Sequence, residues 1–328
     1  MNITEIFTQE SNKTSEDDEY PSSSINQSNN KCNLCPHNCL INRSIEIGFC
    51  KAPNFLKINT YQLHYGEEPI ISGLNGSGTI FFSHCNMKCC YCQNYLISSL
   101  GTGQKYTEDE FIDIILDLQD KGAHNINLVS PTPYTDLIIP ALKRIKFKNL
   151  KIPIVWNSNA YESVETLKKL EGLVDIYLPD FKYWDNEKAI KYSKIPNYKK
   201  YAQSALKEMY RQTGKLVIDN DISYGPDGIA IFGTLIRILV LPENQNNIEE
   251  IIQWIYENLS NDTYISLMAQ YYPTYKAINY PEINRPITQE EYDHAVHILE
   301  GLGFENVFIQ ELGTTPEWTP KFNTNMNL

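Results

Sequence analysis

Short apolar runs and longer, helically spaced ones alternate along most of this chain. Thr79 to Ser83 (TIFFS) is a short run rich in β formers. Thr107-Glu-Asp-Glu110 reads as a capping box, and Phe111, Ile114, Ile115 and Leu118 repeat behind it at helical spacing. Gly122 suits the C-terminal cap of that helix. Asn125 to Val129 reads as a strand, Asp136 to Phe147 as a helix bent at Pro140, and Ile152 to Trp156 as a strand. A helix over Ser163 to Leu170, a strand over Val174 to Leu178 and a helix over Tyr198 to Gln212 follow. Leu235 to Leu241 (LIRILVL) reads as a buried strand, and Asn247 with Glu250 as the cap of a helix through Leu259. Tyr264 to Ala269 is a further strand, Thr288-Gln-Glu-Glu291 a second capping box opening a helix to about Glu300, and Val307 to Gln310 ends the pattern.

Six strands from Thr79 to Ala269, alternating with helices, predict an α/β fold with a parallel sheet and helices outside; Val307 to Gln310 is a candidate seventh strand. In such folds the chemistry sits just past the C-terminal strand ends. Those positions here are polar or turn-forming: Ser130-Pro-Thr-Pro133, Asn157-Ser-Asn159, Pro179-Asp180-Phe-Lys182 and Gln270-Tyr-Tyr-Pro273. Ahead of the pattern, Phe55 to Tyr65 is strand-like, and a turn-rich segment follows through Gly66, Pro69, Gly73, Gly76 and Gly78.

Composition adds limits. With 328 residues, 42% of them apolar, the chain can bury a sizeable core. Its net charge of −12, with no basic patch along the sequence, argues against a nucleic-acid partner. No apolar run approaches the roughly 18 residues of a membrane span. Residues 1–31 are acidic and polar, unlike a targeting peptide, and read as a disordered tail. A cytoplasmic location is the expectation.

All eight cysteines fall between Cys32 and Cys92. Disulfides would staple distant segments; tight spacings point to metal instead. Cys85, Cys89 and Cys92 form C-x3-C-x2-C just past the TIFFS strand. Three thiolates at that spacing can hold three corners of one compact cluster and leave a fourth iron open to a chelating cofactor. Cys32, Cys35, Cys39 and Cys50 form a separate four-sulfur set, with Gly48 expected to turn the chain into it. Four thiolates suit tetrahedral zinc or a second iron–sulfur cluster. The expected organisation is a tail over 1–31, a cysteine-rich module over 32–75, the barrel over 76–312 and a C-terminal tail over 313–328.

Cys85-x3-Cys89-x-Tyr91-Cys92 after a first strand resembles the radical S-adenosylmethionine (radical SAM) superfamily. More closely, the chain is similar to relatives of the pyruvate formate-lyase activating enzyme, in a subgroup carrying an upstream C-x2-C-P-x2-C motif. Gly66-Glu-Glu-Pro-Ile-Ile-Ser-Gly73, Gly76-Ser-Gly-Thr-Ile-Phe-Phe82, Cys92-Gln-Asn-Tyr95, His124-Asn-Ile-Asn127 and Leu178-Pro-Asp-Phe181 share in that resemblance, which spans roughly Cys32 to Glu311. It implies a partial (β/α)6 barrel. It also implies a [4Fe-4S] cluster on Cys85, Cys89 and Cys92, with S-adenosylmethionine chelating the fourth iron. Electron transfer from the cluster would cleave the sulfonium, and the resulting 5′-deoxyadenosyl radical would abstract hydrogen from a substrate. The resemblance further implies a low-potential electron donor of flavodoxin or ferredoxin type, and a protein substrate such as a glycyl-radical enzyme. Tyr91 would lie near the adenine.

Some positions depart from that pattern or stay open. Many relatives carry a Gly-Gly-Glu-like segment where this chain has Ser130-Pro-Thr-Pro133, so no residue is assigned to the cofactor's amino group. Asn157 and Asn159 are candidates for its ribose or carboxylate, against plain turn chemistry. Asp180 and Lys182 face a substrate or form a surface ion pair. Arg237, in an apolar strand, needs an anionic partner. Cys90 reads as a small buried side chain, His294 and His297 as packed or solvated, and Tyr271 and Tyr272 as candidate pocket walls. The competing function is a non-catalytic zinc or iron–sulfur scaffold, which would need a fourth protein ligand such as Cys90 or His84.

Overall fold

The structure, a computed structural model, describes residues 31–146, 150–313 and 322. The expected N-terminal tail, apart from Lys31, and the C-terminal tail, apart from Gly313 and Phe322, lie outside the described residues.

The strands among the described residues are β1 Leu56–His64, β2 Ser77–Phe82, β3 Gln104–Tyr106, β4 Ile126–Val129, β5 Ile154–Ser158, β6 Ile176–Pro179, β7 Val217–Asp219, β8 Ile229–Leu239, β9 Tyr264–Met268 and β10 Val307–Ile309. They form one sheet in the order β10-β9-β8-β6-β5-β4-β2-β1-β3, with β7 paired antiparallel to β8. From β2 through β10 along that order every pairing is parallel. The six expected strands are therefore β2, β4, β5, β6, β8 and β9, and β10 is the seventh. β1 lies antiparallel between β2 and β3, so the strand-like stretch at 55–65 extends the same sheet. The sheet runs from one open edge to the other, a partial barrel of parallel strands with helices outside.

The helices are α1 Pro69–Ser72, α2 Tyr95–Ser98, α3 Glu108–Asp120, α4 Thr135–Lys146, α5 Val164–Leu167, α6 Asn186–Ser193, α7 Tyr198–Thr213, α8 Ile248–Asn258 and α9 Gln289–Gly301. Both capping boxes form: Thr107 with Glu110 opens α3, and Thr288 with Glu291 opens α9. Gly122, at φ +88°, follows α3 in the left-handed region. α4 continues through Pro140.

Phe111, Ile115 and Leu118 of α3 and Ile138, Leu142 and Ile145 of α4 pack on Ile80, Phe82, Leu128 and Trp156 of the strands. Each such buried side chain contributes about 1.5–3 kcal/mol relative to its exposed state. Across the sheet, Ile251 and Ile255 of α8 pack with Ile236 and Ile238 of β8.

Three local expectations change. Asn247 does not cap α8: it sits at φ +56° with no capping hydrogen bond, and Ile248 N donates to Asn244 Oδ1 at 2.8 Å. The strand expected at Leu235 begins at Ile229. Gly233 marks the reason, since a Cβ there would lie 2.4 Å from Leu216 Cα, where the chain leading into β7 presses on β8. Gly48 does not turn the chain through a left-handed φ; a Cβ there would crowd Ile41 Cδ1 at 3.0 Å and Cys39 Sγ at 3.4 Å.

Candidate functional site

The cysteine loop starts where β2 ends. Backbone bonds hold it to four separate segments. Ser83 N donates to Lys57 O, His84 N to Ile97 O, Lys88 N to Ser193 O and Cys90 N to Tyr192 O, and Cys90 O accepts from Lys276 N. His84 takes φ +68°, and its ring packs on Gly101, where a Cβ would lie 2.3 Å from His84 Cε1. A side chain at 101 would push the loop off the strand end.

Cys85, Cys89 and Cys92 all line one cavity of about 230 Å3 at the C-terminal ends of the parallel strands. Each sulfur has a side-chain hydrogen-bond partner from a separate segment outside the loop. Asn159 Nδ2 lies 3.3 Å from Cys85 Sγ, Ser193 Oγ 3.0 Å from Cys89 Sγ and Ser98 Oγ 3.1 Å from Cys92 Sγ. Tyr183 OH reaches Ser193 Oγ at 2.8 Å and pairs with Tyr91 OH, so a relay of hydroxyls runs from Tyr91 to Cys89. Burial pushes the Cys89 thiol up to about 12 and raises Cys92 as well. Iron cations bound to these sulfurs would offset that cost and hold them as thiolates. Neither His84 nor Cys90 lines the cavity, and Cys90 is 4% exposed, as its reading as a buried side chain requires.

The wall beyond the cysteines is polar. Asn157 lies in β5 and Asn159 just past its end, but Asn159 is engaged with the loop: its Nδ2 also donates to Asn86 Oδ1 at 2.8 Å and its Oδ1 accepts from Tyr161 N. Asn157 faces the cavity, as do Ser130 and Tyr271. Tyr91 lines it and meets Tyr271 edge-on at 5.6 Å between ring centres. Asp180 and Lys182 form a 2.7 Å ion pair on the cavity wall, not on the outer surface. Burial works against the Lys182 charge, but Asp180 and the neighbouring sulfurs outweigh it and raise its pKa.

Arg237 of β8 has two carboxylate partners that the sequence pattern did not reveal. Its Nε donates to Glu68 Oε1 at 2.8 Å, and its Nη2 to Glu68 Oε2 and to Glu67 Oε2. Glu67 also accepts from Asn127 Nδ2 at 2.8 Å. The Glu67-Glu68 turn is thereby drawn across β8 and β4 at the cavity edge.

The second cysteine group lies beside the loop. Cys32, Cys35, Cys39 and Cys50 line one small cavity with His37, Asn86 and Pro133. Burial pushes the Cys35 and Cys50 thiols up. Among the described residues no three His, Cys, Asp or Glu side chains converge closely enough to hold a single metal ion. Four thiolates around one small cavity suit zinc or a second iron–sulfur cluster. His37 bonds Asn86 O at 2.8 Å and stacks on Phe49 at 3.9 Å, and Arg43 pairs with Asp136 at 2.5 Å. His294 and His297 are exposed on α9, away from both groups. No helix among the described residues is long and apolar enough to cross a membrane.

Comparison with known proteins bears on this geometry. Several solved structures are similar to this chain at low identity. HydG, the [FeFe]-hydrogenase maturase of Carboxydothermus hydrogenoformans, is 14% identical, with 69% of this chain and 50% of that chain covered and a TM-score of 0.42. A domain of the pyruvate-formate lyase-activating enzyme of Bacteroides vulgatus is 15% identical, with 58% of this chain and all of that domain covered and a TM-score of 0.41. SuiB of Streptococcus suis, bound to precursor peptide SuiA, is 14% identical, with 70% and 47% covered and a TM-score of 0.47. The chain thus spans about half the length of HydG and SuiB. An uncharacterised protein of Methanocaldococcus jannaschii is 34% identical over 287 residues, 84% of this chain and 76% of that protein. The sequence model of the radical SAM superfamily matches residues 79–255, from β2 through most of α8. This chain belongs to the radical SAM superfamily.

Proposed function

We propose that Cys85, Cys89 and Cys92 hold three irons of a [4Fe-4S] cluster and that the adjoining cavity takes S-adenosylmethionine. Superfamily membership implies both groups. The observation that carries the residue assignment is the cavity itself: three sulfurs face it, each with its own hydrogen-bond partner, and neither His84 nor Cys90 faces it as a fourth ligand. When bound, the cluster would supply the electron that cleaves S-adenosylmethionine to methionine and a 5′-deoxyadenosyl radical for hydrogen abstraction.

The chain's own residues do the rest. The Tyr91 ring forms a wall for the adenine, and Asn157 offers its amide to the ribose or carboxylate. Asn159 acts at the same place through Cys85, which it holds. Lys182 carries a positive charge into the cavity and Asp180 fixes its position. The finer reading is activation of a protein partner, in the manner of the pyruvate formate-lyase activating enzymes. It rests on the sequence resemblance at Cys32–Cys50, Gly66–Gly73 and Leu178–Phe181. Cys32, Cys35, Cys39 and Cys50 hold a further metal centre, zinc or a second cluster.

The test is 5′-deoxyadenosine formation by anaerobically reconstituted protein given dithionite and S-adenosylmethionine. Cys85→Ala, Cys89→Ala and Cys92→Ala are each expected to lower it by a factor of at least about 100, since loss of one ligand removes the centre that acts. Product formation unchanged in all three would leave the scaffold reading in its place.

A further inference from the structure

Three carboxylates are buried among the described residues: Glu68, Glu162 and Glu208. Glu68 pairs with Arg237 and Glu208 with Arg211. Glu162, only 1% exposed, has no cation within ion-pair distance among the described residues. Its Oε1 accepts from Thr132 Oγ1 at 2.8 Å and from Trp156 Nε1 at 3.1 Å. Its Oε2 has no hydrogen-bond partner among the described residues. Burial pushes the carboxyl pKa up, and the Thr132, Trp156 and Ser158 side chains offset that only in part. A buried oxygen without a partner costs free energy that an apolar side chain of similar size would not. The reason for a carboxyl at 162 therefore lies in its Oε1 contacts.

Those contacts join two strand ends, each of which leads into a left-handed residue. Thr132 lies two residues past Ser130, which follows β4 at φ +58°. Trp156 lies in β5, which ends at Ser158, two residues before Ala160 at φ +57°. Residues other than glycine hold such angles only where the surrounding structure fixes them, and they cluster at functional sites. Ser130, Asn157, Ser158 and Asn159, around these two turns, all line the main cavity, whereas Glu162 does not. Ser130 N also donates to Asn157 O at 2.9 Å. Glu162 follows Tyr161, whose N donates to Asn159 Oδ1 at 3.0 Å and whose O accepts from Asn86 Nδ2 at 2.7 Å. Anchoring Glu162 thus fixes the segment that holds Asn159 Nδ2 3.3 Å from Cys85 Sγ.

We infer that Glu162 is a positioning residue: clamping the ends of β4 and β5 from within the core, it sets the wall that Ser130 and Asn157 present to S-adenosylmethionine and the approach of Asn159 to Cys85. The inference rests on the proposed function and deepens it. Glu162 meets neither the cavity nor a sulfur, so it acts through the residues it holds. What the clamp needs is an acceptor at Oε1, which a glutamine amide supplies and a leucine does not.

The experiment measures two properties of the anaerobically reconstituted protein that require no turnover. One is the Kd for S-adenosylmethionine by equilibrium dialysis with the cluster oxidised; the other is the redox midpoint of the cluster. Glu162→Leu keeps the volume and removes the acceptor. It is expected to raise the Kd at least about tenfold and to make the midpoint more negative as the Asn159 donor leaves Cys85, with iron content as in wild type. Glu162→Gln, which keeps the acceptor, is expected to recover most of both. An unchanged Kd and midpoint in Glu162→Leu would overturn the inference. So would a Glu162→Gln as impaired as Glu162→Leu, because the acceptor would then not be what positions the wall. If Glu162→Leu loses iron or fails to fold, Thr132→Val removes one donor and makes the same comparison. There the Kd is expected to rise about threefold, and an unchanged Kd would overturn the inference. Wild type that binds no S-adenosylmethionine would defeat the radical SAM reading itself, and this inference with it.

Discussion

Ser193, Ser98 and Asn159 each place one polar hydrogen against one of the three sulfurs. A hydrogen bond to a thiolate favours the more negative, reduced state of whatever the thiolate binds, and so raises its reduction potential. Ser193→Ala is therefore expected to make the cluster potential more negative by tens of millivolts, on the scale where 59 mV is a tenfold change in a one-electron equilibrium. Iron content should stay as in wild type. A redox titration followed by electron paramagnetic resonance reads this directly, and an unchanged midpoint would remove Ser193 from the set of tuning residues. Ser98→Ala should shift the potential in the same direction. Of the three donors, the sequence flagged only Asn159, and for another role. Ser193 stands 104 residues from its sulfur and carries no local pattern. Spacing can identify ligands because they share a loop; their partners come from wherever the fold brings a hydroxyl.

At the level of elements, the parallel strands and the capped helices were legible, because period and capping act within a few residues. β3 (QKY) and β7 (VID) were not, since three-residue strands have too little pattern to read. α6 was missed for a related reason: its eight residues carry few apolar positions. The link between β8 and the Glu67-Glu68 turn was also hidden, although Arg237 was rightly read as needing an anion. Its partners lie 169 and 170 residues away.

That link has a measurable consequence. Arg237→Met leaves two buried carboxylates without their cation and is expected to cost about 3–5 kcal/mol near neutral pH. The sign of its pH dependence follows from Glu68. Burial pushes that carboxyl up, but Arg237 more than offsets it, so in the folded protein Glu68 lies below its ordinary value. Stability from the pair is therefore present above the ordinary carboxylate pKa and lost as pH falls through the lowered one. In the variant burial acts alone, the carboxyl pKa rises, and protonation relieves the cost. The gap in urea midpoint between wild type and Arg237→Met should thus narrow from about pH 8 to about pH 5. A gap that stays constant over that interval would mean that Arg237 acts by packing and not by charge.

Across the whole molecule, the two cysteine groups meet at Asn86. Its backbone carbonyl holds His37 of the first group, while its side chain bonds Asn159 and the Tyr161 carbonyl beside Cys85. Lys88 reaches back over Phe49 from the other side. The four-cysteine module thereby braces the loop that carries Cys85, and its own state should be felt there. Cys35→Ser/Cys39→Ser is expected to release the module's metal. Elemental analysis would show loss of one zinc equivalent if the module holds zinc, or a fall from about eight irons to about four if it holds a cluster. In either case the thermal midpoint should drop, and dithionite-driven 5′-deoxyadenosine formation should fall less than with Cys85→Ala, because the second ligand set remains whole. Unchanged metal content together with an unchanged thermal midpoint would show that these four thiols pack as ordinary half-buried side chains, and that the brace on the Cys85 loop comes from His37 and Phe49 alone.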